Sequence, residues 1–114
     1  MSRLKVLFVC SKNQWRSPTA EAVFKSDPRL DVRSRGTAKK AKMRVTKRDI
    51  ERANVIFVME KKHKDLLLQD HPVEARKQPV HVLEIPDDYE YMDPELVDIL
   101  WEIAAPMIEM ELES

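Results

Sequence analysis

The chain has 114 residues, 43% hydrophobic and 35% charged, with one cysteine, one glycine and a formal net charge of zero. That length holds one packed core over residues 1–114 and excludes a second domain. A lone cysteine excludes an internal disulfide framework, and the scattered His63, His71 and His81 give no metal-ligand spacing.

The zero net charge conceals a division. Residues 1–64 carry 18 Lys and Arg against 6 Asp and Glu, whereas residues 65–114 carry 2 against 14, so one face is suited to anions. No N-terminal apolar stretch is long enough for a signal peptide or a membrane span. The expectation is a cytoplasmic protein with no membrane contact, no metal and no cofactor.

In chain order, Leu4 to Val9 is a short apolar run rich in β-branched and aromatic residues, as in a strand buried on both faces. Ser17-Pro18-Thr19-Ala20-Glu21 predicts a helix start, with Ser17 as N-cap, Pro18 at the first helical position and an acid in the first turn. That helix is expected to run from Ser17 to about Ser26. Asp27-Pro28 breaks the chain, Leu30 to Ser34 alternates like an edge strand, and Gly36 is expected to supply a turn with positive φ.

Lys39 to Arg44 reads as a loop. Thr46 to Asp49 spells a cap for a short helix through Arg52. Asn54 to Met59 predicts a second buried strand, Lys61 to Gln69 a helix with Pro72 just beyond its end, and Val80 to Leu83 a fourth strand. Asp93-Pro94-Glu95 opens a last helix that Pro106 should kink or split. Strands alternating with helices imply a parallel sheet in a three-layer α/β sandwich, where ligands gather at the carboxyl ends of the strands.

The chemistry concentrates in Cys10 to Ser17, between the first strand and the first helix. Amides of Ser11, Lys12, Asn13, Gln14, Trp15, Arg16 and Ser17, together with the helix end, would point at one spot and form a phosphate cradle. Cys10 sits at its base, where the helix end and nearby cations favour a nucleophilic thiolate. The planar fork of Arg16 can grip two phosphoryl oxygens, and the Ser17 hydroxyl can donate to the thiolate. Asn13 tolerates the left-handed backbone that a cradle without glycine needs.

Val6-Leu7-Phe8-Val9-Cys10, then Asn13, Arg16-Ser17-Pro18 and Ala20-Glu21-Ala22-Val23-Phe24, resemble the opening of the low-molecular-weight protein tyrosine phosphatases. Arg33-Ser34-Arg35-Gly36-Thr37 is similar to that family's second-strand Ser-Ala-Gly-Thr segment. The resemblance is looser but in order to about Tyr91. Lys12 stands where the family usually has glycine, and Trp15 where many members have a second cysteine. The resemblance implies four parallel strands in the order 2-1-3-4 and phosphomonoester hydrolysis through a phosphocysteine.

That chemistry needs an acid for the leaving oxygen and later a base for water. The candidates are Asp87, Asp88 and Asp93. The family's acid follows the fourth strand, which favours Asp87 over Asp88, while Asp93 is better explained as the cap of the last helix. Trp15, Tyr89 and Tyr91 could wall a phosphorylated ring. The basic residues between 33 and 48 are expected on the same rim, as a contact for a polyanion.

The expected substrate is a phosphotyrosine protein or another phosphomonoester. Two alternatives stand beside it: the same chemistry on nucleotide or RNA-end phosphates, and a non-catalytic phosphate-binding module. Arsenate reduction is disfavoured because it needs further cysteines.

Overall fold

In the computed structural model, which describes residues 2–114, the first apolar run becomes β1 (Leu4–Cys10). It leads through a tight loop into α1 (Arg16–Phe24), and β2 (Leu30–Gly36) follows. Next come α2 (Lys47–Arg52), β3 (Val55–Val58), α3 (Lys61–Asp70), α4 (Pro72–Arg76), β4 (Val80–Val82) and α5 (Pro94–Glu113). The strands form one parallel sheet in the order β2-β1-β3-β4, as expected for the three-layer α/β class.

Alternation along β1 divides the core. Val6, Phe8 and Cys10 face α1 and α5, where Phe24, Leu96, Leu100, Ala104 and Ile108 close over them. Phe8 stacks between Phe24 and Phe57 at centroid distances of 5.8 and 5.4 Å. Leu7 and Val9 face the opposite layer of α2, α3 and α4, against Ile50, Leu67 and Ala75. Both faces of β1 are buried, which is why its sequence reads as an unbroken apolar run.

Several local expectations are corrected. α1 begins one residue early, at Arg16, with Trp15 at its N-cap; Pro18 occupies the third helical position and the first turn holds no acid. Ser17 does not cap because its hydroxyl is engaged with the Cys10 thiol instead. Gly36 has no positive φ and ends β2; it is required by space, since a Cβ there would lie 2.6 Å from both Ala41 Cβ and the Ser11 carbonyl oxygen.

Pro72 opens a further short helix, α4, which was not anticipated. α5 is not split at Pro106. That residue lies on the solvent side, while Ala104 and Ile108 on either side of it stay anchored in the core. The Thr46–Asp49 capping box and the Asp93 cap form as expected, with Asp93 accepting from the Glu95 N–H at 2.9 Å.

Candidate active site

The loop from Ser11 to Trp15 is short because β1 and α1 must meet almost directly, and it makes its turn at Asn13, which adopts φ 55°. Its backbone is stitched to the next loop on the rim. Thr37 N–H donates to the Cys10 carbonyl and Ala38 N–H to that of Ser11, both at 2.9 Å, and Lys42 N–H donates to that of Lys12 at 3.0 Å. The close packing at Gly36 makes this stitching possible.

Beneath the loop runs a polar chain. Cys10 Sγ lies 2.8 Å from Ser17 Oγ, and Asn13 Nδ2 donates to Ser17 Oγ at 3.1 Å and to Ser34 Oγ at 3.0 Å. Ser34 in turn donates to Glu21 Oε1 at 2.5 Å. Ser17 has one proton and two acceptors, the Cys10 sulfur and the Arg35 carbonyl at 3.3 Å. A thiolate takes that proton; a thiol donates to Ser17 and leaves the proton with Arg35. The chain therefore accommodates both states of the sulfur without leaving a buried group unpaired.

Arg16 is 2% exposed and reaches across the sheet end. Its Nη1 donates to Glu60 Oε1 at 2.5 Å and to the Ile85 carbonyl at 2.7 Å, which fixes the plane of the fork. The guanidinium holds the Glu60 carboxyl below the usual carboxylate range. Asp87 Oδ1 stands 3.6 Å from Arg16 Nε, with the Asp87 side chain 57% exposed. Cys10, Ser11, Lys12, Gln14, Trp15, Arg16 and Asp87 line one cavity of about 40 Å³, a volume suited to a single tetrahedral oxyanion.

The structure thus brings Asp87, and not Asp88 or Asp93, to the mouth of the Cys10 cavity: Asp88 is exposed outside it and Asp93 caps α5. Asn13 and Ser17 lie below the loop as supports of the sulfur. Trp15 and Tyr91 share an adjoining cavity of about 520 Å³ with Met43 and Lys42, and Gln14 and Trp15 border both cavities. Tyr89 lines neither and packs against the edge of the core.

The basic stretch does not hold together on one rim. Arg35 pairs with Asp49 at 3.1 Å and Lys47 with Glu74 at 3.9 Å, while Arg33 and Arg48 face a separate cavity beside α2. Lys39, Lys40 and Lys42 remain exposed on the loop stitched to the cradle.

Three residues escaped sequence reasoning: Glu60, His63 and Glu21. Glu60 and His63 lie 44 and 52 residues from the loop groups they touch, Arg16 and Ser11. The only local signal was the reciprocal cap between them, in which the Glu60 N–H donates to His63 Nδ1 at 3.0 Å.

Residues 5–51 match the family model for low molecular weight phosphotyrosine protein phosphatase. No curated protein is matched by sequence. Among solved structures, the chain is similar to a low molecular weight phosphotyrosine phosphatase of Vibrio cholerae, with a TM-score of 0.80, 23% identity and coverage of 96% of this chain and 97% of that one. It is similar to the tyrosine phosphatase Wzb of Escherichia coli K30, solved in complex with phosphate, with a TM-score of 0.76, 20% identity and coverage of 96% and 99%. It also resembles the arginine phosphatase YwlE of Geobacillus stearothermophilus, with a TM-score of 0.70, 23% identity and 96% coverage of both chains.

Proposed function

We propose, from the premise that this chain is a short, divergent relative of the low-molecular-weight phosphotyrosine phosphatases and a phosphatase by class, that it hydrolyses phosphomonoesters through a phosphocysteine. The single observation that carries this reading is the cavity of about 40 Å³ that gathers the Cys10 sulfur, the Arg16 fork and the Asp87 carboxyl.

Cys10 attacks phosphorus in line, and its S–P bond forms as the ester P–O bond breaks. The loop amides and Arg16 hold the equatorial oxygens, and a protonated Asp87 gives its proton to the leaving oxygen. The resulting carboxylate then accepts a proton from the water that cleaves the S–P bond, and Ser17 donates to the departing thiolate. No metal or cofactor enters this sequence of steps.

A phosphorylated aromatic side chain of a protein is the favoured substrate class. The cradle takes only the phosphoryl group, and Trp15, Met43 and Tyr91, which are 43%, 53% and 54% exposed, present apolar surface in the adjoining cavity. The need for a free thiolate at Cys10 supports action in the reducing cytoplasm. Among the described residues no helix is long and apolar enough to cross a membrane.

The test is hydrolysis of p-nitrophenyl phosphate by wild type, Cys10→Ser and Asp87→Asn between pH 5 and 8. Wild type is expected to turn over, Cys10→Ser to be inactive and Asp87→Asn to be slowed roughly 10²–10⁴-fold. Reduced wild type that binds phosphate without turnover would replace the enzyme reading with a binding module.

The exposed Lys39, Lys40 and Lys42 beside the cradle favour a second reading, the same chemistry on nucleotide or RNA-end phosphates. On such ends, kcat/KM should fall with salt and with charge reversal at these three lysines. Insensitivity to both would exclude it.

A further inference from the structure

His63 is fully buried at the start of α3, and both of its ring nitrogens are engaged. Nδ1 accepts the Glu60 N–H at 3.0 Å, so that nitrogen carries no proton. Burial, assisted by the nearby Arg16 charge, pushes the ring pKa down to about 4, and the imidazole is neutral at physiological pH. Its single proton is then on Nε2, and Nε2–H must donate to Ser11 Oγ, 2.8 Å away.

This fixes the role of the Ser11 hydroxyl. Its oxygen is occupied as an acceptor, so its own proton is turned away from His63 toward another acceptor. Among the described residues Ser11 Oγ makes no other hydrogen bond. Ser11 belongs to the wall of the cavity that holds the Cys10 sulfur, the Arg16 fork and Asp87. The group chemically suited to receive its proton is an oxygen of a phosphoryl group seated over Cys10.

We propose that the Ser11 side chain, oriented by neutral His63, donates a hydrogen bond to a phosphoryl oxygen, adding a side-chain donor to the loop amides and Arg16. Ser11 is on this assignment a catalytic residue, and His63 a positioning residue that acts through it. The inference rests on the phosphate reading of the cradle. It also explains why a polar ring is kept fully buried in the layer beneath the loop: the start of α3 and its N-cap brace both flanks of the cradle, Arg16 through the Glu60 carboxylate and Ser11 through His63.

The test uses Ser11→Ala, His63→Asn and the double variant, assayed for p-nitrophenyl phosphate turnover and, by calorimetry, for binding of inorganic phosphate. Asparagine retains an acceptor at the δ position for the Glu60 N–H but does not reach Ser11, which separates the cap from the orienting bond.

A hydrogen bond to a charged group is worth about 1.5–3 kcal/mol, so kcat/KM should fall roughly ten- to hundredfold in Ser11→Ala, with weaker phosphate binding. His63→Asn should fall by a similar factor, and the double variant no further than either single one. Wild-type kcat/KM and phosphate affinity in Ser11→Ala would overturn the proposal. So would an undiminished effect of His63→Asn in the Ser11→Ala background, which would make His63 merely structural.

If His63→Asn does not fold, Ser11→Ala decides alone. If wild type binds phosphate without turnover, the phosphate affinities decide. If wild type neither binds nor turns over, the cradle reading fails with the proposal, and that failure is visible in wild type before any variant is made.

Discussion

Replacing Gly36 by alanine should damage stability and activity together, because one methyl group would press on both rim loops. The added Cβ would lie 2.6 Å from Ser11 O, 2.6 Å from Ala41 Cβ and 3.0 Å from Asn13 N. The two closest approaches fall about 0.8 Å short of the 3.4 Å at which ordinary van der Waals contact begins.

Neither neighbour yields easily. The Ser11 carbonyl is held by the Ala38 N–H at 2.9 Å, and Asn13 is tied through its side chain to Ser17 and Ser34. Overpacking of this kind costs typically 1–3 kcal/mol. At roughly 2 kcal/mol, a chain of 114 residues loses about 8 °C in Tm. A cradle displaced by most of an ångström should lose on the order of 10²-fold in kcat.

Thermal unfolding and p-nitrophenyl phosphate turnover read the two effects. The φ of Gly36 is not positive, so backbone strain makes no contribution, and the double variant Gly36→Ala with Ala41→Gly separates the contacts. It should recover part of the Tm and little of kcat, because the contact with Ser11 O remains. Wild-type Tm and kcat in Gly36→Ala would refute the reasoning.

Glu60→Gln replaces the charged acceptor of Arg16 Nη1 by a neutral one, so the fork is held mainly by the Ile85 carbonyl at 2.7 Å and is drawn more strongly toward Asp87, 3.6 Å from Nε. We expect kcat/KM to fall roughly tenfold and stability by about 1–3 kcal/mol, read by steady-state kinetics and denaturant unfolding. Stability should also fall with acid through His63. The unfolded ring takes its proton near pH 6.5 and the folded ring only near 4, so the unfolded state binds more protons in that window and stability drops as pH falls through it. The integrated loss is on the order of 3 kcal/mol, and urea titrations of wild type and His63→Asn at pH 6.5 and 4.5 would show it as a slope that the variant lacks. Asp93→Ala should cost about 1 kcal/mol of stability through the lost cap while leaving kcat unchanged, whereas a collapse of kcat would move the acid role to Asp93.

The sequence by itself determined the class of fold and marked the loop where the candidate site lies. Both are written in short-range pattern. An apolar run buried on both faces, a cysteine at its end and a helix start six residues later need no distant information to be read as strand, loop and anion site. The capping box at Thr46 and the cap at Asp93 were legible for the same reason, since their partners lie within three residues.

Tertiary structure decided the rest. Whether Ser17 capped a helix or served the sulfur depended on where Cys10 Sγ came to lie. Whether Gly36 was needed for its φ or for its missing Cβ depended on two loops meeting over it. Pro106 remains inside an unbroken helix because neighbouring residues are anchored in the core. Glu60 and His63 joined the site only because β3 lies beside β1 in the sheet, which carries the start of α3 to the flank of a loop some fifty residues earlier. Side-chain chemistry names what a residue can do, and the packing of the parallel sheet determines which groups are close enough for it to act on.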